Sequence, residues 1–270
     1  VNDDTREYSV AHAYPSEFVF RRRVQLGLTF GALAATAAVS WYFLFETESA
    51  MRVMRGDGFF MDLMRMMMRP ADAGPYLGAT TVMWVVMMMA MMVPAVMPML
   101  IVFQKLDRGS SGGADLILFS CGYLIAWSAF SIVAAVAQWL LHGAGWLGGS
   151  LLSLRPTAAA AILIAAGIYQ LTPMKDSCLE KCRSPMGFFL ANWRAGRLGA
   201  LAMGAHHGLF CIGCCWVLML IMFAGGAMSV ITMALLTVFI VAERVLPPGP
   251  WVARIPGVAL ITWGAAIAIA

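Results

Sequence analysis

Residues 203–222 read MGAHHGLFCIGCCWVLMLIM, a stretch without a single acidic residue, lysine or arginine. On a helix advancing about 100° per residue, Met203, His207, Cys211, Cys214, Cys215 and Met222 share an arc of roughly 120°. At ~1.5 Å rise per residue this file is about 28 Å long, close to the thickness of a bilayer's hydrocarbon core. Polar and reactive groups are seldom placed at that depth without a use. Thiolate, thioether and imidazole ligands together favour Cu(I), with zinc second.

Outward from this stretch the chain stays apolar. It is 61% hydrophobic and 12% charged, about half the charged fraction of an average soluble domain. Apolar segments near 24–45, 77–101, 115–141, 157–172, 199–224, 227–246 and 254–270 give six or seven expected spans. The expected fold is all-α: a polytopic transmembrane helical bundle with one interfacial amphipathic helix. Residues 1–23 are a polar N-terminal tail and 24–270 the bundle, in which 46–76 is an outer interfacial segment and 173–198 a polar loop. Gly225-Gly226 is the only break between the fifth and sixth segments and predicts a tight helical hairpin. In 46–76, Phe59, Phe60, Leu63 and Met67 alternate with Asp62, Arg65 and Arg69 at helical spacing.

The net charge of +4 resides in the loops and gives no reason to expect nucleic acid. Counted over seven spans, thirteen basic residues fall on one side and five on the other. The excess places the N-terminus and the 173–198 loop in the cytoplasm of a bacterial cell, with the bundle in its inner membrane. The first twenty residues show no cleavable signal pattern, so the first span is expected to serve as the targeting signal.

Six cysteines in 270 residues are too sparse for a disulfide scaffold. Methionine is abundant at 22 residues, and fifteen of these lie between Met51 and Met99. Residues 83–99 read MWVVMMMAMMVPAVMPM; Met83, Met87 and Met91 stack at i, i+4 and i+8. Pro94 and Pro98 donate no backbone hydrogen bond, so the carbonyls of Ala90 and Pro94 are left bare. A bent helix of this kind, with Met87 and Met91 on one row, suits a wall along which Cu(I) passes between thioethers. Methionine is also ordinary packing material in an apolar core.

A second cysteine pair, Cys178 and Cys182, stands in the polar loop. At i and i+4 on a helix both thiols face one way, close enough to chelate one soft ion. Lys175, Lys181 and Arg183 are expected to favour the thiolate form. The preceding apolar segment has only about sixteen residues. Should it fail to reach the far surface, the loop dips toward the bundle, and Cys178, Cys182, Cys211 and Cys214 close one four-thiolate site. The same dithiol would also suit redox chemistry. Glu243 and Arg244, at the end of the sixth segment, read as a boundary ion pair.

The ordered motifs MMMAMMVPAVMP (87–98), YQLTPMKDSCLEKCRSP (169–185) and GLFCIGCCWVLMLIMF (208–223) resemble a family of bacterial integral membrane proteins of unassigned activity, described as predicted metal-binding. The resemblance spans Trp84 to Glu243. It implies a metal role for the CLxxCR and CxGCCW elements, which here are Cys178, Cys182, Cys211, Cys214 and Cys215.

The function expected from these residues is binding of Cu(I), with zinc second, followed by movement or hand-over of the ion. The metal ligands expected are Cys211, Cys214, Cys215, His207, Cys178, Cys182, Met203, Met87 and Met91. The chain carries no nucleotide-binding motif or nucleophile grouping, so an accessory subunit of a copper-dependent membrane enzyme is expected rather than an enzyme. Its partners would be the lipid bilayer and a membrane protein or a second copy of the chain. Two rival classes stand beside this: a thiol/quinone redox relay, and a purely structural subunit whose sulfur-rich helices only pack.

Overall fold

A computed structural model describes residues 16–53, 58–106, 113–149, 151–246 and 250–269. The order of elements is α1 (Ser16–Val53), α2 (Phe59–Met67), α3 (Ala73–Leu106), α4 (Ala114–Gly143), a small hairpin of β1 (Leu147–Gly148) and β2 (Ser153–Leu154), α5 (Pro156–Gln170), α6 (Pro173–Arg183), α7 (Pro185–Asn192), α8 (Arg197–Gly225), α9 (Val230–Val245) and α10 (Pro250–Ile269). The expected N-terminal tail up to residue 15 and the Pro247-Pro248-Gly249 break lie outside the described residues.

Helices occupy all seven expected apolar segments. Four of them are long and apolar enough to cross a membrane: α1 over Val24–Met51, α3, α4 and α8. Of the remaining helices only α10 reaches 20 residues, of which membrane-like apolar sequence covers Arg254–Ile269; the others are shorter than the ~20 residues a perpendicular crossing takes. Helix α9 has 16 residues, and α5 has 15 and is bent by 66° against α6. The expected 46–76 segment is divided, because α1 continues to Val53 and only Phe59–Met67 forms a separate helix. That helix is two-faced: Leu63, Met64 and Met67 are buried, while Phe59, Asp62 and Arg65 face outward.

Close packing of α4 on α8 sets the register of the candidate site. A Cβ on Gly204 would fall 1.9 Å from the carbonyl oxygen of Phe119, and one on Gly122 would fall 2.1 Å from that of Leu201. Only glycine lets the two backbones approach so nearly, as small-residue contacts do between membrane helices. Helix α3 completes the wall. Pro94 leaves the Ala90 carbonyl without its helical donor, and the Trp41 indole N–H fills the vacancy at 3.0 Å. Two further carbonyls of the same stretch are drawn into side-chain bonds: Met92 accepts from the Tyr123 hydroxyl at 3.3 Å, and Ala95 accepts from Arg244 Nη1 at 3.2 Å.

The turn after α8 passes through Gly226 at φ +95°, a conformation glycine adopts without strain. Ala227 and Met228 then donate to the carbonyls of Leu152 and Leu151 on the β-hairpin. Tied there, the chain swings α9 onto α3. The expected tight α8–α9 hairpin is therefore an open one.

Candidate metal centre

Helix α8 turns its sulfur file inward. Met203, His207, Cys211, Cys214, Cys215 and Met222 are all buried. The two following thiols, Cys214 and Cys215, both donate to the Cys211 carbonyl, at 3.1 and 2.9 Å. Their sulfurs are thereby held close to the helix, on one side of the Cys211 turn.

Thr172 caps α6 by accepting from the Lys175 backbone N–H, and Pro173 starts the helix where its missing N–H does no harm. The sharp bend after Gln170 lays α6 against α8. This brings the polar loop to the membrane cysteines, as the short preceding segment suggested. Cys182 is buried where α6 meets α8, with Cys214 as a near neighbour. Cys178 approaches over Gly213, where an added Cβ would stand 3.2 Å from the Cys178 sulfur. The glycine inside Cys211-Ile212-Gly213-Cys214 is thus the landing place of α6, and the Tyr169 hydroxyl secures it by donating to the Gly213 carbonyl.

The cation at the site is Arg244, and its placement corrects two expectations. Glu243 does not pair with Arg244: its carboxylate meets Lys175 Nζ and Gln170 Nε2, each at 2.6 Å. Neighbouring residues on a helix diverge by about 100°, so one faces α6 while the other enters the core. There Arg244 Nη2 lies 2.7 Å from Cys211 Sγ and 3.7 Å from Cys214 Sγ. The three cations expected to attend the cysteines are engaged elsewhere. Lys175 is bound to Glu243, Lys181 sits 3.9 Å above the Phe210 ring, and Arg183 donates to the Glu243 carbonyl.

Tyr123 closes the group, with its hydroxyl 3.1 Å from Cys211 Sγ. The constellation is therefore Cys182 from α6, Cys211 and Cys214 from α8, Arg244 from α9 and Tyr123 from α4, with Cys178 at its edge. Cys121 lies apart, on an exposed face of α4. Among the described residues no three His, Cys, Asp or Glu side chains stand as a ready-made ligand set.

The other expected ligands are buried but hold different neighbours. His207 is boxed by aromatic rings, with centroids at 5.3 Å to Phe188, 5.7 Å to Tyr123 and 6.2 Å to Phe119. Its Nδ1 has no hydrogen-bond partner among the described residues. The Met203 sulfur accepts from the Arg194 backbone N–H at 3.3 Å, near the start of α8. Met87 and Met91 are fully enclosed in the same core cluster as Cys211. Tyr123 was not singled out in the sequence, and Arg244 was read only as half of a boundary ion pair; a basic residue inside an apolar helix terminus was the available signal for its role here.

No curated protein and no solved structure matches this chain. A family model described as "PpoB2: Copper chaperone" matches residues 81–267, which takes in α4 through α9 and every residue of the thiol–guanidinium group. With more than half of its length covered by that match, the chain belongs to the PpoB2 copper chaperone family.

Proposed function

We propose that the protein holds Cu(I) in its membrane core between Cys211 and Cys214, with Cys182 as the third sulfur, and hands it to a membrane-protein partner. The observation that carries this reading is the guanidinium of Arg244 against two thiols. A buried charge is costly unless it is paired. Among the described residues the polar contacts of Arg244 go to two sulfurs and a backbone carbonyl, not to a carboxylate. Two thiolates around Cu(I) carry one net negative charge, which a single guanidinium neutralises. Two thiolates around Zn(II), with Cys182 joining as a neutral thiol, are already neutral, and the buried guanidinium would be left without a counter-charge. Charge compensation therefore favours the monovalent ion over zinc.

Cys182 supplies the means of exchange. It belongs to a helix held on α8 by contacts at Gly213 and on α9 by the Lys175–Glu243 pair. A third sulfur entering a two-sulfur centre lets the ion pass by ligand exchange, without release into lipid. The excess of basic residues counted along the chain supports a cytoplasmic side for the loop that holds α6 and a bacterial inner membrane around the bundle.

The test is anaerobic competition for Cu(I) against a chromogenic chelator, on detergent-purified protein and single Cys→Ser variants. Cys211→Ser and Cys214→Ser should each lower affinity by about 100-fold or more, and Cys182→Ser by less, whereas Cys121→Ser should change nothing. Unchanged affinity in both α8 variants would overturn the reading. The nearness of Cys182 on α6 to Cys214 on α8 favours a second reading, a thiol relay. Trapping of a Cys182–Cys214 disulfide during turnover with an electron acceptor, in protein that binds no copper, would establish that alternative.

A further inference from the structure

Helix α6 carries a second file of soft side chains, and it leads outward from the centre. Met174, Cys178 and Cys182 stand at i, i+4 and i+8, within an arc of about 80° on a helix advancing ~100° per residue. Their burial is graded. Met174 is 59% exposed, Cys178 is partly exposed and Cys182 is buried. The inner end of the file is where α6 meets α8: Cys182 has Cys214 as a near neighbour, and the Cys178 sulfur stands over Gly213. The outer end lies on a polar surface. Asp176, Ser177, Glu180 and Lys181 are exposed on the same helix, and charged groups so placed face water, since acyl chains exclude them.

Cys211, Cys214 and Cys215 are buried, so a partner's own ligand does not reach them while α6 is docked. Side chains four residues apart on a helix have Cβ atoms about 5–6 Å apart, a gap that two sulfurs bridge through one ion. An ion can thus step from Cys182 to Cys178 without ever lacking a sulfur ligand. Each step outward leaves behind the sulfurs that Arg244 contacts. The outer rungs therefore hold Cu(I) more weakly and give it up more readily. Cys178 supplies a thiolate whose charge matches that of the ion, and Met174 adds a soft neutral donor at the surface. Packing gives no reason for sulfur at position 174, because a side chain so exposed fills no gap in the core.

We infer that Met174 and Cys178 form the exchange port of the cysteine centre, where Cu(I) passes to or from a thiol that a partner offers on the α6 side. This rests on the function proposed above and names the partner's chemistry. The step is a ligand exchange. A partner thiol binds the ion at Cys178, the bond between copper and the Cys178 sulfur breaks, and the proton of the incoming thiol goes to that sulfur. Copper stays Cu(I) throughout.

The test loads detergent-purified, full-length protein anaerobically with Cu(I) and follows loss of the ion to dithiothreitol, a water-soluble dithiol. In the unaltered protein the transfer rate should rise in proportion to dithiol concentration. Cys178→Ser should slow transfer by roughly tenfold or more, and the volume-conserving Met174→Leu by about threefold, while equilibrium affinity for Cu(I) stays within about threefold in both. A variant that merely loosened the fold would release copper faster, not slower. Transfer from Cys178→Ser at the unaltered rate overturns the port and leaves the cysteine centre standing, whereas a protein that binds no copper overturns both. An affinity loss in Cys178→Ser as large as that in Cys211→Ser would make Cys178 a resident ligand and also overturn the port. Alkylation of the copper-free, unaltered protein by iodoacetamide needs no variant: Cys178 should react well before Cys182, Cys211 and Cys214, and equal rates would count against the port just as decisively.

Discussion

Arg244 Nη2 lies 2.7 Å from the sulfur of Cys211, inside a helical core where both side chains are buried. The contact spans α8 and α9, whose backbones otherwise diverge after Gly226. It ties the sulfur chemistry of one helix to the charge of the other.

Removing that charge should weaken the site selectively. Hydrogen bonds to charged groups are worth about 1.5–3 kcal/mol, so Arg244→Gln should lower Cu(I) affinity by roughly 10- to 100-fold. The ratio of Cu(I) to Zn(II) affinity should fall as well, because the guanidinium no longer opposes the divalent ion. Arg244→Lys retains the charge but cannot span Cys211, Cys214 and the Ala95 carbonyl together, and should fall between. Parallel titrations with both metals read the result.

Gly213 gives a steric test of the α6 docking. A methyl group there would stand 3.2 Å from the Cys178 sulfur, so Gly213→Ala should push α6 outward by a few tenths of an ångström. Overpacking of this kind destabilises by about 1–3 kcal/mol. Copper affinity should drop in step with Cys182→Ser, and the combined variant should be little worse than either alone. Additive losses would mean that Gly213 acts by another route.

The Lys175–Glu243 pair should behave as a buried ion pair. Breaking it with Lys175→Met alone is expected to cost about 3–5 kcal/mol, because it strands a carboxylate. Lys175→Met/Glu243→Gln should recover much of that loss. Unfolding followed in detergent checks both variants, and protection of Cys182 from a thiol reagent reports whether α6 stays docked.

His207 occupies an aromatic box one helical turn from Cys211, and its Nδ1 has no hydrogen-bond partner among the described residues. His207→Phe should keep the ring packing and lower Cu(I) affinity less than tenfold. A loss as large as that of Cys211→Ser would restore the imidazole to the ligand set.

Much of this arrangement was legible along the chain, and the rest was hidden for identifiable reasons. The inward face of α8 follows from 100° arithmetic on Cys211, Cys214 and Cys215, and the close α4 crossing from Gly204. The free carbonyl at Ala90 follows from Pro94, although no local feature says that Trp41 would claim it. The dip of α6 toward α8 could be suspected from the short α5. Arg244 was misassigned because a charged pair at adjacent positions looks like an ion pair, whereas side chains at i and i+1 on a helix point apart. Pairing of Glu243 with Lys175, 68 residues away, is a tertiary fact that no helical period encodes. His207 lies on the same buried face one turn before Cys211, where it meets the rings of Phe119 on α4 and Phe188 on α7, neighbours that no helical period encodes.

X-ray absorption at the copper edge of the anaerobically loaded protein tests the central claim most directly. The account predicts an inner shell of sulfur alone at the tightest-bound ion, lost when Cys211 and Cys214 are both changed to serine. An inner shell containing nitrogen or oxygen, or a sulfur shell that survives in the double variant, would contradict it.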